Sequence, residues 1–155
     1  MKGVYILKIY RTLLLFLFVA VFGIPAYSAT TAEVKQAIVN KCNEMGVEPA
    51  IMLSIAKTES GFRQEARGAS GSIGVFQLMP GTAKSLGVNP YDLDGNIKGG
   101  IMYYKSMYNI LGSRELAVAA YNLGLRPVKN CKCVPSIAQP FVNRIMKDYQ
   151  YYKTH

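Results

Sequence analysis

The chain has 155 residues, of which 50% are hydrophobic and 17% charged, with 18 Lys+Arg against 9 Asp+Glu and a formal net charge of +9. That is one domain's worth of chain with enough apolar content for a single core, which excludes a mostly disordered protein. Only one stretch is apolar enough to be considered for a bilayer, which excludes a polytopic membrane protein.

That stretch opens the chain. Lys2, Lys8 and Arg11 precede a 12-residue apolar run from Leu13 to Ile24, and Ala26-Tyr27-Ser28 follows. A basic head, a short apolar middle and a small-x-small end read as a signal peptide over residues 1–28, cleaved after Ser28. An uncleaved anchor is the alternative, but the run is well short of the roughly 20 residues a spanning helix needs. Its removal takes three cations and no acid, leaving 15 basic against 9 acidic residues in 29–155, a net charge of +6. A moderately basic exported domain suits an acidic envelope surface. The scattered cations and the export signal argue against nucleic acid as a partner.

The remaining residues form helical patterns in chain order. Val34, Ala37, Ile38 and Met45 are spaced for a helix over 31–45 that stops at Gly46. Pro49 suits the first position of a second helix, whose apolar Ile51, Met52, Leu53, Ile55 and Ala56 lead to a stop at Gly61. Residues 64–74 are polar and rich in Gly, Ala and Ser, a loop signature. Pro80 opens a short helix ending at Gly87. Asp94 reads as the N-cap of a helix starting at Asn96, with Ile97, Ile101, Tyr104 and Tyr108 on one face and Gly112 at its end. A helix over 114–122 is followed by a loop containing Pro127, Cys131, Cys133 and Pro135. A last helix runs from about Gln139 to Tyr152, with Phe141, Ile145, Tyr149 and Tyr152 spaced for burial. The expected class is all-α, a single domain over 29–155 with at most a small hairpin in 66–78.

The three cysteines allow one disulfide and a leftover thiol. Cys42 pairing with Cys131 or Cys133 is the favoured expectation, and three free thiols is the alternative. The single histidine is the terminal His155, and Cys-x-Cys lacks zinc-knuckle spacing, so no metal site and no cofactor are expected. The same scarcity of histidine leaves Ser-His and Cys-His schemes without a base. Carboxylate chemistry remains. Glu59 sits in the last turn of its helix, on a face shared with Met52, Ile55 and Ala56. Burial there, and the negative end of the helix dipole, would hold its carboxyl protonated and make it a proton donor. A surface glutamate at a frayed helix end is the plainer alternative.

The words around Glu59 add to this. Glu59-Ser60-Gly61-Phe62 is followed by Gly74-Val75-Phe76-Gln77-Leu78-Met79-Pro80-Gly81-Thr82-Ala83, then Asn96-Ile97, Gly100 and Tyr103, and finally Ala120-Tyr121-Asn122. In order and spacing this resembles the soluble lytic transglycosylase family, whose catalytic domain is related to goose-type lysozyme. The resemblance spans about residues 35–150. It implies a lysozyme-like fold and Glu59 as the catalytic acid/base. It implies that Ser60 shapes the surroundings of Glu59, and that Gln77 and Met79 line the sugar groove. It also implies that Tyr121 hydrogen-bonds the carboxyl or the reacting sugar, and that Asn122 holds the local fold near the substrate. Gln77 has a plainer reading, satisfying backbone groups in a tight turn, and Tyr103 reads as helix packing.

The chain departs from the family pattern at Val75-Phe76 in place of Leu-Met, at Gly68 where relatives carry a serine, at Leu123-Gly124, and in the Cys131-Lys132-Cys133 loop. By resemblance, the expected activity is cleavage of the β-1,4 bond between N-acetylmuramic acid and N-acetylglucosamine in peptidoglycan, leaving 1,6-anhydro ends. The expected setting is the periplasm, as a monomer without a membrane span once the signal is removed, serving a secretion, conjugation or pilus assembly. A peptidoglycan-hydrolysing lysozyme and a weakly active peptidoglycan-binding assembly protein are the alternatives.

Overall fold

The computed structural model describes residues 28–155, so the signal-peptide expectation lies outside the described residues. Among these, seven α-helices and one 3-10 turn account for the regular structure. α1 spans Thr31–Met45. Thr30 and Glu33 cap it reciprocally: the Thr30 hydroxyl accepts from the Glu33 N–H at 3.3 Å and the Glu33 carboxylate accepts from the Thr30 N–H at 2.7 Å. Val34, Ile38 and Cys42 form its buried stripe. α2, Pro49–Ser60, starts on a proline whose missing N–H is not needed there. Its residues Ala50 through Ala56 are all buried, so it is the central helix, enclosed by α1 and by the last helix.

Around it lie α3 (Pro80–Leu86), α4 (Leu93–Leu111), α5 (Arg114–Leu123), α6 (Leu125–Cys131), the 3-10 turn Ser136–Ala138 and α7 (Gln139–Thr154). α7 packs most extensively on α2 through Val142, Ile145 and Tyr149, and Lys57 of α2 pairs with Asp148 of α7 at 2.7 Å. Phe141 and Tyr152, expected on the buried face of α7, are only partly covered, because the stripe turns one residue toward Val142. No described helix is long and apolar enough to cross a membrane.

Three expectations are corrected. α4 begins at Leu93 and its cap is Asp92, whose carboxylate accepts from the Gly95 N–H at 2.7 Å. Asp94 instead pairs with Lys41 at 3.1 Å. Residues 125–131, expected as loop, are helical. Pro127 falls in the first turn of α6, where no intrahelical donor is lost. The disulfide joins Cys131 to Cys133, while Cys42 is a free thiol enclosed in the core, its pKa pushed up to about 12 by burial. The exposed end of α6 gives Cys42 no route to either partner.

The segment from Phe62 to Met79 holds no strand. The expected hairpin reduces to two isolated antiparallel bridges, Arg67 with Ile73 and Ile73 with Leu78. What fixes this segment is Asn96, fully buried on α4. Its Oδ1 accepts from the Phe76 N–H at 2.8 Å, and its amide donates to the carbonyls of Ile73 (2.8 Å) and Pro90 (2.9 Å). Gly74, at φ 79°, passes so close to that amide that a Cβ would collide with it, and a Cβ on Gly100 would enter the Phe76 ring. Asn96→Ala leaves the buried Phe76 N–H without a partner and removes one of two donors from each of the Ile73 and Pro90 carbonyls, which keep the Leu78 N–H and the Gln64 amide. It is expected to lower the unfolding free energy by about 2–4 kcal/mol, measured by urea titration.

Candidate active site

A groove of about 460 Å³ opens on the face where the end of α2, the 70–79 loop, α4 and the end of α5 meet. Glu59, one residue before the end of α2, lines it. The carboxyl is largely buried, and desolvation raises its pKa from 4.5 to about 7. No hydrogen bond or ion pair holds it among the described residues, and Glu59 is the only acid lining the groove. A carboxyl that is neither paired nor solvated holds its proton near neutrality and has a free edge on which to deliver it.

The other expected residues divide. Gln77 and Met79 line the groove beside Glu59. Both readings of Gln77 hold, for it sits at φ 47° and its amide donates to the Gly74 carbonyl at 2.9 Å and the Ala66 carbonyl at 3.3 Å. Its Oε1 accepts from Ser72 at 2.6 Å. Its groove-facing position is therefore locked, with few free polar atoms. Met79 is 44% exposed and offers an apolar surface at the groove edge.

Tyr121 lines the groove, yet its hydroxyl donates to the Phe76 carbonyl at 2.8 Å. The tyrosine's own proton is thereby engaged with the loop. The hydroxyl's pKa is raised well above its usual value, first by burial and then by the charge of Glu59. Asn122 is exposed and lines the groove, and its side chain makes no hydrogen bond among the described residues. Ser60 does not reach the groove. It is buried, donates to the Val75 carbonyl at 2.8 Å and accepts from the Arg63 N–H at 3.1 Å, so it ties α2 to the loop.

Tyr103, Thr82, Ser70 and Ser72 also stand in the groove wall. Tyr103 sits edge-on to Tyr121 with ring centroids 5.0 Å apart. The sequence word containing Tyr103 pointed to it, but helical spacing alone assigned it to packing. The serines and Thr82 carried no signal beyond a polar loop. Among the described residues no cluster of His, Cys, Asp or Glu could hold a metal ion.

Residues 26–134 match the family model described as the transglycosylase SLT domain. The chain is 35% identical over 82 residues to a transglycosylase of enterobacteria phage PRD1, covering 52% of this chain and 31% of the phage protein. It is 31% identical over 90 residues to membrane-bound lytic murein transglycosylase F of Saccharophagus degradans, covering 53% and 18% respectively. It thus spans less than a third of the curated relatives it matches. The structure is similar to an inactive mutant of the lytic transglycosylase Slt from Pseudomonas aeruginosa, with TM-score 0.68, 24% identity and coverage of 77% of this chain and 24% of that one. It is equally similar to the 70 kDa soluble lytic transglycosylase of Escherichia coli, with TM-score 0.68 at 22% identity, again covering 77% and 24%. At these identities the likeness shows the fold, which is the all-α lysozyme-like one.

The raised pKa of Glu59 has a consequence for stability. The folded state favours the neutral acid, so the associated stability is complete below about pH 4.5 and is lost as pH rises through about 7. Glu59→Gln, which cannot ionise, is expected to be more stable than the parent at pH 8–9 by on the order of 1–3 kcal/mol, with the advantage gone at pH 4. Urea unfolding at the two pH values measures both.

Proposed function

The chain belongs to the transglycosylase SLT domain family, and we propose on that premise that it is a peptidoglycan lytic transglycosylase with Glu59 as its only acid/base. The observation that carries this reading is one protonatable carboxyl, pKa about 7, in a groove with no second acid on its walls. Two-carboxylate glycosidases need the second group as base or nucleophile. With one, the same group must give a proton and take one back.

In this scheme Glu59 protonates the oxygen linking N-acetylmuramic acid to N-acetylglucosamine, and the bond from that oxygen to the muramic anomeric carbon breaks. The sugar's N-acetyl group and the polar groove wall support the oxocarbenium-like centre. The muramic C6 hydroxyl attacks the anomeric carbon while the Glu59 carboxylate takes its proton. The product is a 1,6-anhydro end, no water is consumed, and Glu59 is again protonated. Gln77, Met79 and Asn122 contact the glycan. Tyr121 and Ser60 act as positioning residues, since each holds the loop through a backbone carbonyl. Residues 1–28 direct export to the periplasm. The role we assign is local opening of the wall for a secretion, conjugation or pilus assembly, and the match to a phage transglycosylase is compatible with that use.

Digestion of purified peptidoglycan, with products weighed by mass spectrometry, tests the reading. The parent is expected to release anhydro-muropeptides. Products heavier by one water would make it a lysozyme on the same scaffold, and no release would favour a binding role. Glu59→Gln is expected to lower turnover by about 100- to 10,000-fold, the usual worth of acid–base assistance. Because the acid form starts the reaction, parent activity is expected to fall as pH rises past about 7.

A further inference from the structure

The Cys131–Cys133 bridge lies outside the groove and has no part in the chemistry proposed above. It closes over a single intervening residue, with the Cα atoms 5.1 Å apart, and both cysteines are exposed. So short a loop gives the smallest restriction of the unfolded chain that a disulfide can impose, so stability is a poor reason for its presence. Lys132 between them caps α6 at φ 54°, in the left-handed region where a residue with a side chain is disfavoured. The bridge therefore closes around a residue held in a disfavoured backbone conformation. The sequence here is cationic, with Lys129 and Lys132 near the cysteines in the chain and no acidic residue between Glu115 and Asp148. Nearby positive charge stabilises thiolates. The Cys133 N–H also points at the Cys131 sulfur at 3.2 Å, ready to stabilise negative charge there.

We propose that Cys131–Cys133 is a thiol-exchange site that accepts two electrons from a dithiol. A reductant thiolate attacks Sγ of Cys133 and forms a mixed disulfide. The Cys131–Cys133 bond breaks, and its electron pair leaves on Sγ of Cys131, held by the Cys133 N–H and the lysines. A second thiol, on the same dithiol or on a second monothiol molecule such as glutathione, then displaces Cys133 and leaves with the first as a disulfide. The two thiol protons of the reductant end on Cys131 and Cys133.

The test uses the full chain in a glutathione buffer with about tenfold excess of the reduced form, followed by acid quench, alkylation and peptide mass spectrometry. The bridge is expected to open in this buffer, with the early glutathione adduct on Cys133 and with Cys42 unlabelled in its buried position. Lys132→Gly removes both the strain and one cation, and is expected to shift the equilibrium toward the disulfide by roughly three- to tenfold. A bridge that stays closed, an early adduct mainly on Cys131, or a Lys132→Gly variant reduced as readily as the parent would overturn the proposal. None of these outcomes depends on whether the groove cleaves peptidoglycan.

Discussion

The side chain of Asn96 holds the active-site loop to the helical body. One buried amide satisfies the Phe76 N–H and the carbonyls of Ile73 and Pro90. An apolar residue of similar size would leave the Phe76 N–H unsatisfied and each of the two carbonyls with one donor instead of two. Two further side chains finish the attachment from other helices, Ser60 of α2 through the Val75 carbonyl and Tyr121 of α5 through the Phe76 carbonyl. Three helices thus grip consecutive peptide units of one loop. The chain that emerges from this grip carries Gln77, Leu78 and Met79 along the wall of the groove that Glu59 lines. The loop has only two isolated bridges to keep its shape, so these side-chain bonds do much of what a sheet would do.

The same arrangement accounts for the electrostatics of Glu59. Its helix is the enclosed one, so its last turn emerges from the core rather than from solvent. Tyr121 has committed its proton to Phe76 and Gln77 has committed its amide to the loop, so neither is free to stabilise a carboxylate. Desolvation is left without a compensating donor, and the pKa rises to about 7. A fold that fixes its loop with the polar groups around the acid thereby also leaves that acid protonated near neutral pH.

Much of this was legible in the residues because it is local. Pro49 and Gly61 bracket α2, and Gly46 and Gly87 end their helices at positive φ, so those boundaries follow from backbone preferences alone. Glu59 on an apolar face could be read from spacing, and its raised pKa follows from that face. What could not be read depends on pairs distant in sequence. Asn96 looked like a helix start because its partners lie 20 and 23 residues earlier in an irregular loop. Ser60 and Tyr121 were placed near the substrate because their motif words were right, but only the fold shows that their hydroxyls face the loop backbone. Pro127 suggested a loop where it occupies a first helical turn. For the cysteines, counting allowed several pairings, and the burial of Cys42 decides among them.

The central claim is that an isolated, desolvated carboxyl at Glu59 is the acid of this groove. Its direct test is titration of the Glu59 side-chain carboxyl by carbon-13 NMR, with Glu59→Gln to assign the resonance. The account predicts a midpoint near 7, well separated from the other carboxylates of the chain. A midpoint near 4.5, the ordinary value for a solvated glutamate, would contradict it.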